Sequence, residues 1–284
     1  MRKIIPFLKF SLPLLLGLLL LFYAFKNVPL DDFLSKLDQT RYGWVIGSML
    51  LSVLAYVSRA YRWQLLLKAA DQKVSTFRLT LAVFVGYLAN LAFPRLGEVI
   101  RCAVLKKTNQ IPVSLSIGTV VTERIIDSLV LLFFLVVALF LEFDLIVTYF
   151  ENIFSTYNIP VNGILYAVLI SMMICSVLVL VISRTHTPVS QRIKKMALEV
   201  LKGILTIKSI QKKYLFLITT MVMWLTYFLM SYMIFFALEE TSSLSLTAGF
   251  MLLVSGGIAL ALPVQGGIGT YHAMIAMMLG LYGI

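Results

Sequence analysis

Charged residues are scarce in this sequence. Only 13% of its 284 residues are Asp, Glu, Lys or Arg, and 60% are hydrophobic, whereas a soluble domain has about 25% charged and about 45–50% apolar residues. Several apolar runs exceed the roughly 18 residues that a membrane-crossing helix requires. The composition therefore excludes an ordinary soluble domain and predicts an all-α protein that crosses the membrane several times.

Residues that hold metals or form disulfides are equally scarce. The two cysteines, Cys102 and Cys175, offer neither a disulfide framework nor a metal-binding spacing, and the two histidines are too few to indicate a metal centre. No nucleotide-binding P-loop is present. We therefore expect no metal, no cofactor and no enzymatic activity. The net charge of +11 does not indicate a nucleic-acid partner, because the basic residues lie in short loops between apolar runs.

Hydropathy predicts about six full spans and one shorter apolar segment. Leu79–Phe93 is too short to span comfortably and leads directly into Pro94. The predicted spans are Phe7–Phe25, Tyr42–Leu67, Ser114–Leu141, Ile164–Ser183, Tyr214–Leu238 and Thr247–Leu262.

The distribution of charge favours a re-entrant hairpin for the shorter segment. If it enters and leaves on one side, the inside receives sixteen basic and two acidic residues, and the outside receives three basic and eight acidic residues. This predicts a cytoplasmic N-terminus and one domain of residues 1–284, with re-entrant segments near 79–105 and 263–284. The basic segment 188–213 has an apolar face at helical spacing, so it is either an interfacial cytoplasmic helix or a plain positive-inside loop.

Several ionisable residues fall inside apolar runs, where each costs at least about 2.5 kcal/mol near the bilayer centre. Glu123 and Asp127 share one helical face and need cationic partners, for which Arg95 and Arg101 are the natural choices. Such residues are either functional or a structural ion-pair network. Arg59 and Arg62 either extend to the inner interface beside Trp63 or bind a lipid headgroup.

Two apolar segments are broken by the same short pattern. Pro94-x-x-Gly97 interrupts the first and Pro263-x-x-Gly266 the second. Matched breaks in two halves of a membrane protein indicate a transporter built from repeats, here an inverted repeat. A half-helix that follows such a break directs its free N–H groups inward, where a phosphate can bind. We therefore expect the two breaks to meet within the membrane.

Four motifs follow one another along the chain. They are Arg59-x-x-Arg62-Trp63, Asn90-x-x-x-Pro94-Arg95-x-Gly97-Glu98-x-x-Arg101, Glu123-Arg124-x-x-Asp127, and Pro263-x-Gln265-Gly266-Gly267-Ile268-Gly269. In order and spacing, these motifs make the sequence resemble the lysylphosphatidylglycerol synthetase/flippase transmembrane family.

The resemblance implies a multi-pass protein of a bacterial-type inner membrane that handles polar lipids. Some relatives translocate aminoacylated phosphatidylglycerol, and others are linked to polyprenyl-phosphate glycolipid pathways. No soluble aminoacyl-transferase domain follows the membrane part, so lipid lysylation is not expected. Relatives usually carry an acidic residue where this chain has Tyr271-His272, and they continue into another helix beyond the position of Ile284. Either the sequence is truncated or this branch closes its bundle differently.

The leading hypothesis is a protein that binds and translocates an anionic or aminoacylated phospholipid, or a polyprenyl-phosphate-linked lipid. Arginines would contact the headgroup, and carboxylates would orient the arginines or recognise a cationic headgroup moiety. Two alternatives stay open: an enzyme or enzyme subunit of lipid-linked sugar or aminoacyl-lipid metabolism, and a scaffold without transport. A homo-oligomer or a lipid-synthesising enzyme is a possible partner. The candidate lipid-binding residues are Arg59, Arg62, Arg95, Glu98, Arg101, Glu123, Arg124, Asp127, Gln265, Gly266, Gly267 and Gly269.

Overall fold

The computed structural model describes residues 14–22, 25–26, 28–156, 173, 191, 210–262 and 264–284, and within these residues it contains helices and no strand. The all-α prediction is therefore confirmed. The predicted span Ile164–Ser183 and the basic segment 188–213 lie almost entirely outside the described residues, as does Pro263. Residues 14–22 are helical. The helices with defined ends are α1 (Leu30–Gln39), α2 (Tyr42–Ala69), α3 (Thr76–Ala92), α4 (Leu96–Asn109), α5 (Val113–Leu141), α6 (Phe143–Thr156), α7 (Lys213–Phe235), α8 (Leu246–Ala261) and α9 (Thr270–Leu281).

Three of these helices are long and apolar enough to cross a membrane. They are α2, α5 and α7, with 28, 29 and 23 residues. At about 1.5 Å per residue, even the shortest exceeds the roughly 30 Å hydrocarbon core. Large apolar side chains on α5, such as Phe133 and Phe140, are exposed in the isolated chain. In a bilayer such a surface contacts lipid tails.

The shorter segment forms the predicted hairpin, α3 followed by α4. Arg95, at the tip, has left-handed backbone angles (φ 62°), which reverses the chain after Pro94. The two helices cross at glycines, because a Cβ on Gly97 would overlap the Gly86 carbonyl oxygen. The Asn90 side-chain oxygen accepts a hydrogen bond from the Gly97 N–H at 2.7 Å. These contacts make a close antiparallel pair whose open end packs in one apolar cluster with α2.

A second hairpin is formed by α8 and α9. Its break is a 3₁₀ turn, Gln265–Gly267, followed by Gly269. Gly266, Gly267 and Gly269 all have positive φ (57°, 73° and 82°), a backbone region that glycine enters without steric cost. The Thr270 hydroxyl donates to the Ala259 carbonyl near the break. At the open end, Met278 packs in one cluster with the first turn of α8.

The two hairpins open toward opposite ends of the bundle. The first packs beside the C-terminal end of α2 and the N-terminal end of α5. The second packs beside the C-terminal ends of α5 and α7. Since α5 runs from the open end of the first hairpin to the open end of the second, the hairpins approach each other from opposite sides. This opposed arrangement is the one that an inverted repeat predicts.

The tips of the hairpins meet, as the matched sequence breaks predict. The Arg95 guanidinium donates a hydrogen bond of 2.6 Å to the Ala261 carbonyl oxygen. Leu91 lies directly beside Gly266. The helix of residues 14–22 covers the second break, because Gly17 lies against the backbone of Ile268 and Gly269. The second break is thus partly covered by protein, since Val264, Gln265, Gly267 and Gly269 are buried while Gly266 and Ile268 are exposed.

Candidate functional site

An ionic cluster lies where α2, α4 and α5 meet. Residues three apart in a helix share a face, which places Arg59 and Arg62 of α2 side by side. The same rule places Glu123 and Asp127 of α5 opposite them, and Arg101 reaches the cluster from the hairpin helix α4. The hairpin therefore supplies a third arginine, in addition to the two of α2.

Glu123 is the centre of the cluster. Its Oε1 lies 2.8 Å from Arg59 Nε and 3.4 Å from Arg62 Nη2. Its Oε2 accepts a hydrogen bond of 3.0 Å from Arg101 Nη2. The side chain is completely buried. Three guanidinium groups thus share one carboxylate, whose negative charge offsets the repulsion among them.

Asp127 extends the cluster by one helical turn. Its Oδ1 lies 2.7 Å from Arg62 Nη2, and its Oδ2 lies 3.6 Å from Arg59 Nη2. The Asp127 side chain is 14% exposed, whereas that of Arg62 is completely buried. Both carboxylates therefore bind the same two arginines of α2, which explains how two acids tolerate one helix face.

Aromatic side chains surround the arginines. The Arg101 guanidinium lies 4.6 Å from the centre of the Trp63 ring, and that of Arg62 lies 5.9 Å from the Phe216 ring. Arg59 Nη1 donates a hydrogen bond of 2.8 Å to the Tyr87 hydroxyl. Such cation–π contacts contribute about 0.5–2 kcal/mol each. They partly replace the hydration that the buried guanidinium groups have lost.

A separate ion pair lies at the edge of the cluster, between Glu98 of α4 and Arg124 of α5. Glu98 Oε1 is 2.5 Å from Arg124 Nε, and the two side chains are 31% and 43% exposed. This pair, together with Arg59 and Arg101, lines a cavity of about 20 Å³ beside the α3–α4 hairpin. A cavity of that size holds about one water molecule.

The charges of these seven residues do not cancel. Four arginines (Arg59, Arg62, Arg101, Arg124) face three carboxylates (Glu98, Glu123, Asp127), which leaves one excess positive charge. A buried ion pair contributes little to stability over a well-packed apolar substitute. Packing alone is therefore a poor reason to retain so many arginines inside a membrane.

One expectation from the sequence was wrong, and the structure contradicts one of two alternatives. Arg95 does not bind the carboxylates of α5. It donates to the Ala261 carbonyl, because it lies at the hairpin tip and not further along α4, where Arg101 lies. Arg59 and Arg62 do not extend to the interface, since they are 5% and 0% exposed and bind carboxylates. The expected partnership of Arg101 with Glu123 is confirmed.

The remaining candidate residues belong to the tip contact and not to the ionic cluster. Gln265 is buried (5% exposed) at the second break, and Gly266 faces Leu91 of the first tip. Gly267 and Gly269 shape the turn into α9. The twelve candidates thus divide into seven that form the ion pairs and five, Arg95 and the residues of the second break, that lie at the hairpin tips.

Sequence reasoning did not select Tyr87, Asn90 or Gly86 as binding residues, yet all three line the cavity. They belong to α3, where Val83, Gly86, Tyr87 and Asn90 follow helical spacing on one face. A stripe of glycine and polar residues on an otherwise apolar helix was the signal that identifies this face.

Comparison with known proteins gives a family and one curated relative. The family model described as "Lysylphosphatidylglycerol synthase TM region" matches residues 10–284. UPF0104 membrane protein MJ1595 of Methanocaldococcus jannaschii is 29% identical over 129 residues. The matched segment covers 44% of this chain and 38% of that relative. No solved structure matches the chain significantly.

Proposed function

The chain belongs to the lysylphosphatidylglycerol synthase transmembrane-region family, a membrane protein family, and from this premise we propose that it binds a phosphate-bearing membrane lipid and translocates it between leaflets. The lipid is an anionic or aminoacylated phospholipid, or a polyprenyl-phosphate-linked lipid. These lipids share the feature that the site addresses, which is a phosphate on an apolar chain.

The observation that carries the proposal is the excess of arginine within the helix bundle. Guanidinium groups bind phosphate oxygens through paired, charge-assisted hydrogen bonds. In the described part of the site, four arginines face three carboxylates, so one added anion balances the charge. Intramembrane ionisable residues mark substrate pathways more often than they serve packing.

The opposed hairpins supply a route for movement. Discontinuous helices that meet at the middle of a membrane protein are typical of transporters with internal repeats, in which one half moves against the other. Here the tips are joined by the hydrogen bond from Arg95 to the Ala261 carbonyl and by the contact of Leu91 with Gly266. We expect this contact to break or shift when the site opens.

The three arginines that bind Glu123 then have different roles. Arg59 and Arg101 line the cavity and are the first choices for binding phosphate. Arg62, which is fully buried, orients Glu123 and Asp127. In this proposal the protein is not an enzyme; it acts on lipid that an enzyme partner supplies or consumes, as a monomer or a homo-oligomer. It lies in the bacterial-type inner membrane with a cytoplasmic N-terminus.

Mass spectrometry of the lipids that co-purify with the protein tests this proposal. We expect anionic or phosphate-linked lipids to be enriched over the bulk membrane extract. Arg101→Gln should lose the enrichment, whereas Arg78→Gln, which changes an exposed arginine at the start of α3, should keep it. A lipid profile equal to that of the bulk extract would instead favour the scaffold hypothesis.

A further inference from the structure

The ion pair between Glu98 and Arg124 differs from the rest of the cluster. Its side chains are 31% and 43% exposed, whereas those of the inner pairs are between 0% and 14% exposed. Both residues line the small cavity together with Arg59 and Arg101. The pair therefore lies between the buried arginines and the surroundings.

Glu98 occupies the position that an anionic ligand of Arg124 would take. Its Oε1 lies 2.5 Å from Arg124 Nε, and a guanidinium group binds a carboxylate and a phosphate through the same planar set of donors. The cavity of about 20 Å³ holds one water molecule but not a phosphate with its four oxygens. A phosphate therefore does not fit into the cavity unless residues that line it, such as this pair, move apart.

We propose that Glu98 is the resident counter-ion of Arg124 and competes with the incoming phosphate for this arginine. The inference rests on the proposed function, because it deepens the account of the same site. Arg124 is the first arginine that the phosphate meets. Displacement of Glu98 then opens the way to Arg101 and Arg59.

The location of Glu98 makes its release inexpensive. It lies in the first turn of α4, where the free N–H groups of the helix stabilise a negative charge. The side chain is 31% exposed, so protein does not enclose it on every side after it leaves Arg124. Neither condition holds for Glu123, which has no exposure and three arginine partners.

Trp63 provides a reporter of ligand at this site. The Arg101 guanidinium lies 4.6 Å from its ring, so movement of Arg101 changes the surroundings of the indole. The chain has three tryptophans, and replacing Trp44 and Trp224 by phenylalanine leaves Trp63 as the sole one. The full chain with these two replacements, in detergent, is titrated with short-chain dihexanoyl phosphatidylglycerol or with inorganic phosphate.

In this background we expect Glu98→Gln to bind the dihexanoyl lipid more tightly, with a dissociation constant about two- to fivefold lower. That is the gain when one partly exposed, competing ion pair is removed. Arg124→Gln should weaken binding. Adding Glu98→Gln to Arg124→Gln should change nothing further, since the competition acts through Arg124. The matched control is Glu239→Gln, an exposed acidic residue far along the chain, and it should bind as the parent does.

Unchanged or weaker binding by Glu98→Gln would overturn the competition. An equal gain in the Arg124→Gln background would also overturn it, because the effect would then be one of long-range charge. If inorganic phosphate binds as tightly as the lipid while Glu98→Gln still strengthens both, the counter-ion role stands and the lipid function fails. If the parent protein and Glu98→Gln bind neither probe, both proposals fail.

Discussion

Replacing Glu123 by glutamine removes the charge that holds the ionic cluster together. The carboxylate lies within 2.8–3.4 Å of guanidinium nitrogens of Arg59, Arg62 and Arg101, and it is completely buried. Without it, Arg59 and Arg62 retain Asp127, but Arg101 loses its ion-pair partner among the described residues. Breaking a buried pair from one side costs about 3–5 kcal/mol. The glutamine keeps the shape of the side chain, so this cost is electrostatic.

The cost is measured as the apparent melting temperature of the purified protein in detergent. A loss of about 3–5 kcal/mol corresponds to a fall on the order of 10 °C for a chain of this size. The variant should still insert, because α5 becomes more apolar, but it should lose lipid binding. Glu239→Gln, an exposed acid outside the cluster, serves as the control.

A second variant distinguishes charge imbalance from poor folding in general. Adding Arg101→Gln to Glu123→Gln removes the arginine that was left unpaired, so the double variant should melt above the single variant Glu123→Gln. A single variant that melts at the wild-type temperature would refute the reasoning, because the cluster would then contribute nothing to stability. A double variant that lost the sum of the two separate effects would also refute it, because additive losses would show that Glu123 and Arg101 do not interact.

Three further predictions concern the hairpins and their orientation. Gly97→Ala should lower the melting temperature, because its Cβ would lie 2.7 Å from the Asn90 side-chain oxygen and would overlap backbone of α3. Gly118→Ala has open space and should be neutral or stabilising. Similar melting temperatures of the two variants would contradict the close crossing of α3 and α4. Cysteines at Leu96 and Gln265 should cross-link through a short reagent, since the tips are in contact, and bound lipid should slow the reaction. Absence of cross-linking would show that the tips lie apart. A cysteine at Glu240 should react with a membrane-impermeant maleimide in intact cells, and reaction only after permeabilisation would invert the proposed orientation.

The hairpins were predictable from the sequence because their cause is local. Pro94 and Gly97 interrupt an apolar segment that is already too short to span, and charge bias then requires that it return to the same side. The second break shows the same proline and glycine spacing. These are properties of the chain itself, so the structure of neighbouring helices was not needed to infer them.

The partners of the arginines were predictable only in part, because they depend on how helices are rotated against one another. Arg95 and Arg101 lie six residues apart on the hairpin and carry the same long, charged side chain, so the sequence offers both as partners for the carboxylates of α5. The close Gly86–Gly97 crossing turns α4 so that Arg101 faces Glu123, while Arg95 stays at the tip. That crossing is a tertiary contact, and no spacing within one helix encodes it.

The burial of Arg59 shows the same limit. The sequence places it near the inner end of a span, where an arginine commonly extends to the interface. The structure instead surrounds it with Glu123 and the Tyr87 hydroxyl, which belong to two other helices. Local hydropathy cannot distinguish these outcomes, because both place the same residue at the same depth of the same helix.

Lipid translocation in proteoliposomes tests the central claim most directly. Purified protein is reconstituted into liposomes with a trace of phosphatidylglycerol that carries a fluorophore on one acyl chain. Dithionite is then added to bleach the fluorophores of the outer leaflet. Wild-type protein should bring inner-leaflet lipid to the outer leaflet, so bleaching should proceed beyond the outer-leaflet fraction. Vesicles with Arg101→Gln should bleach only as far as protein-free liposomes do. Wild-type vesicles that stop at the outer-leaflet fraction, or an Arg101→Gln variant that translocates as fast as wild type, would contradict it.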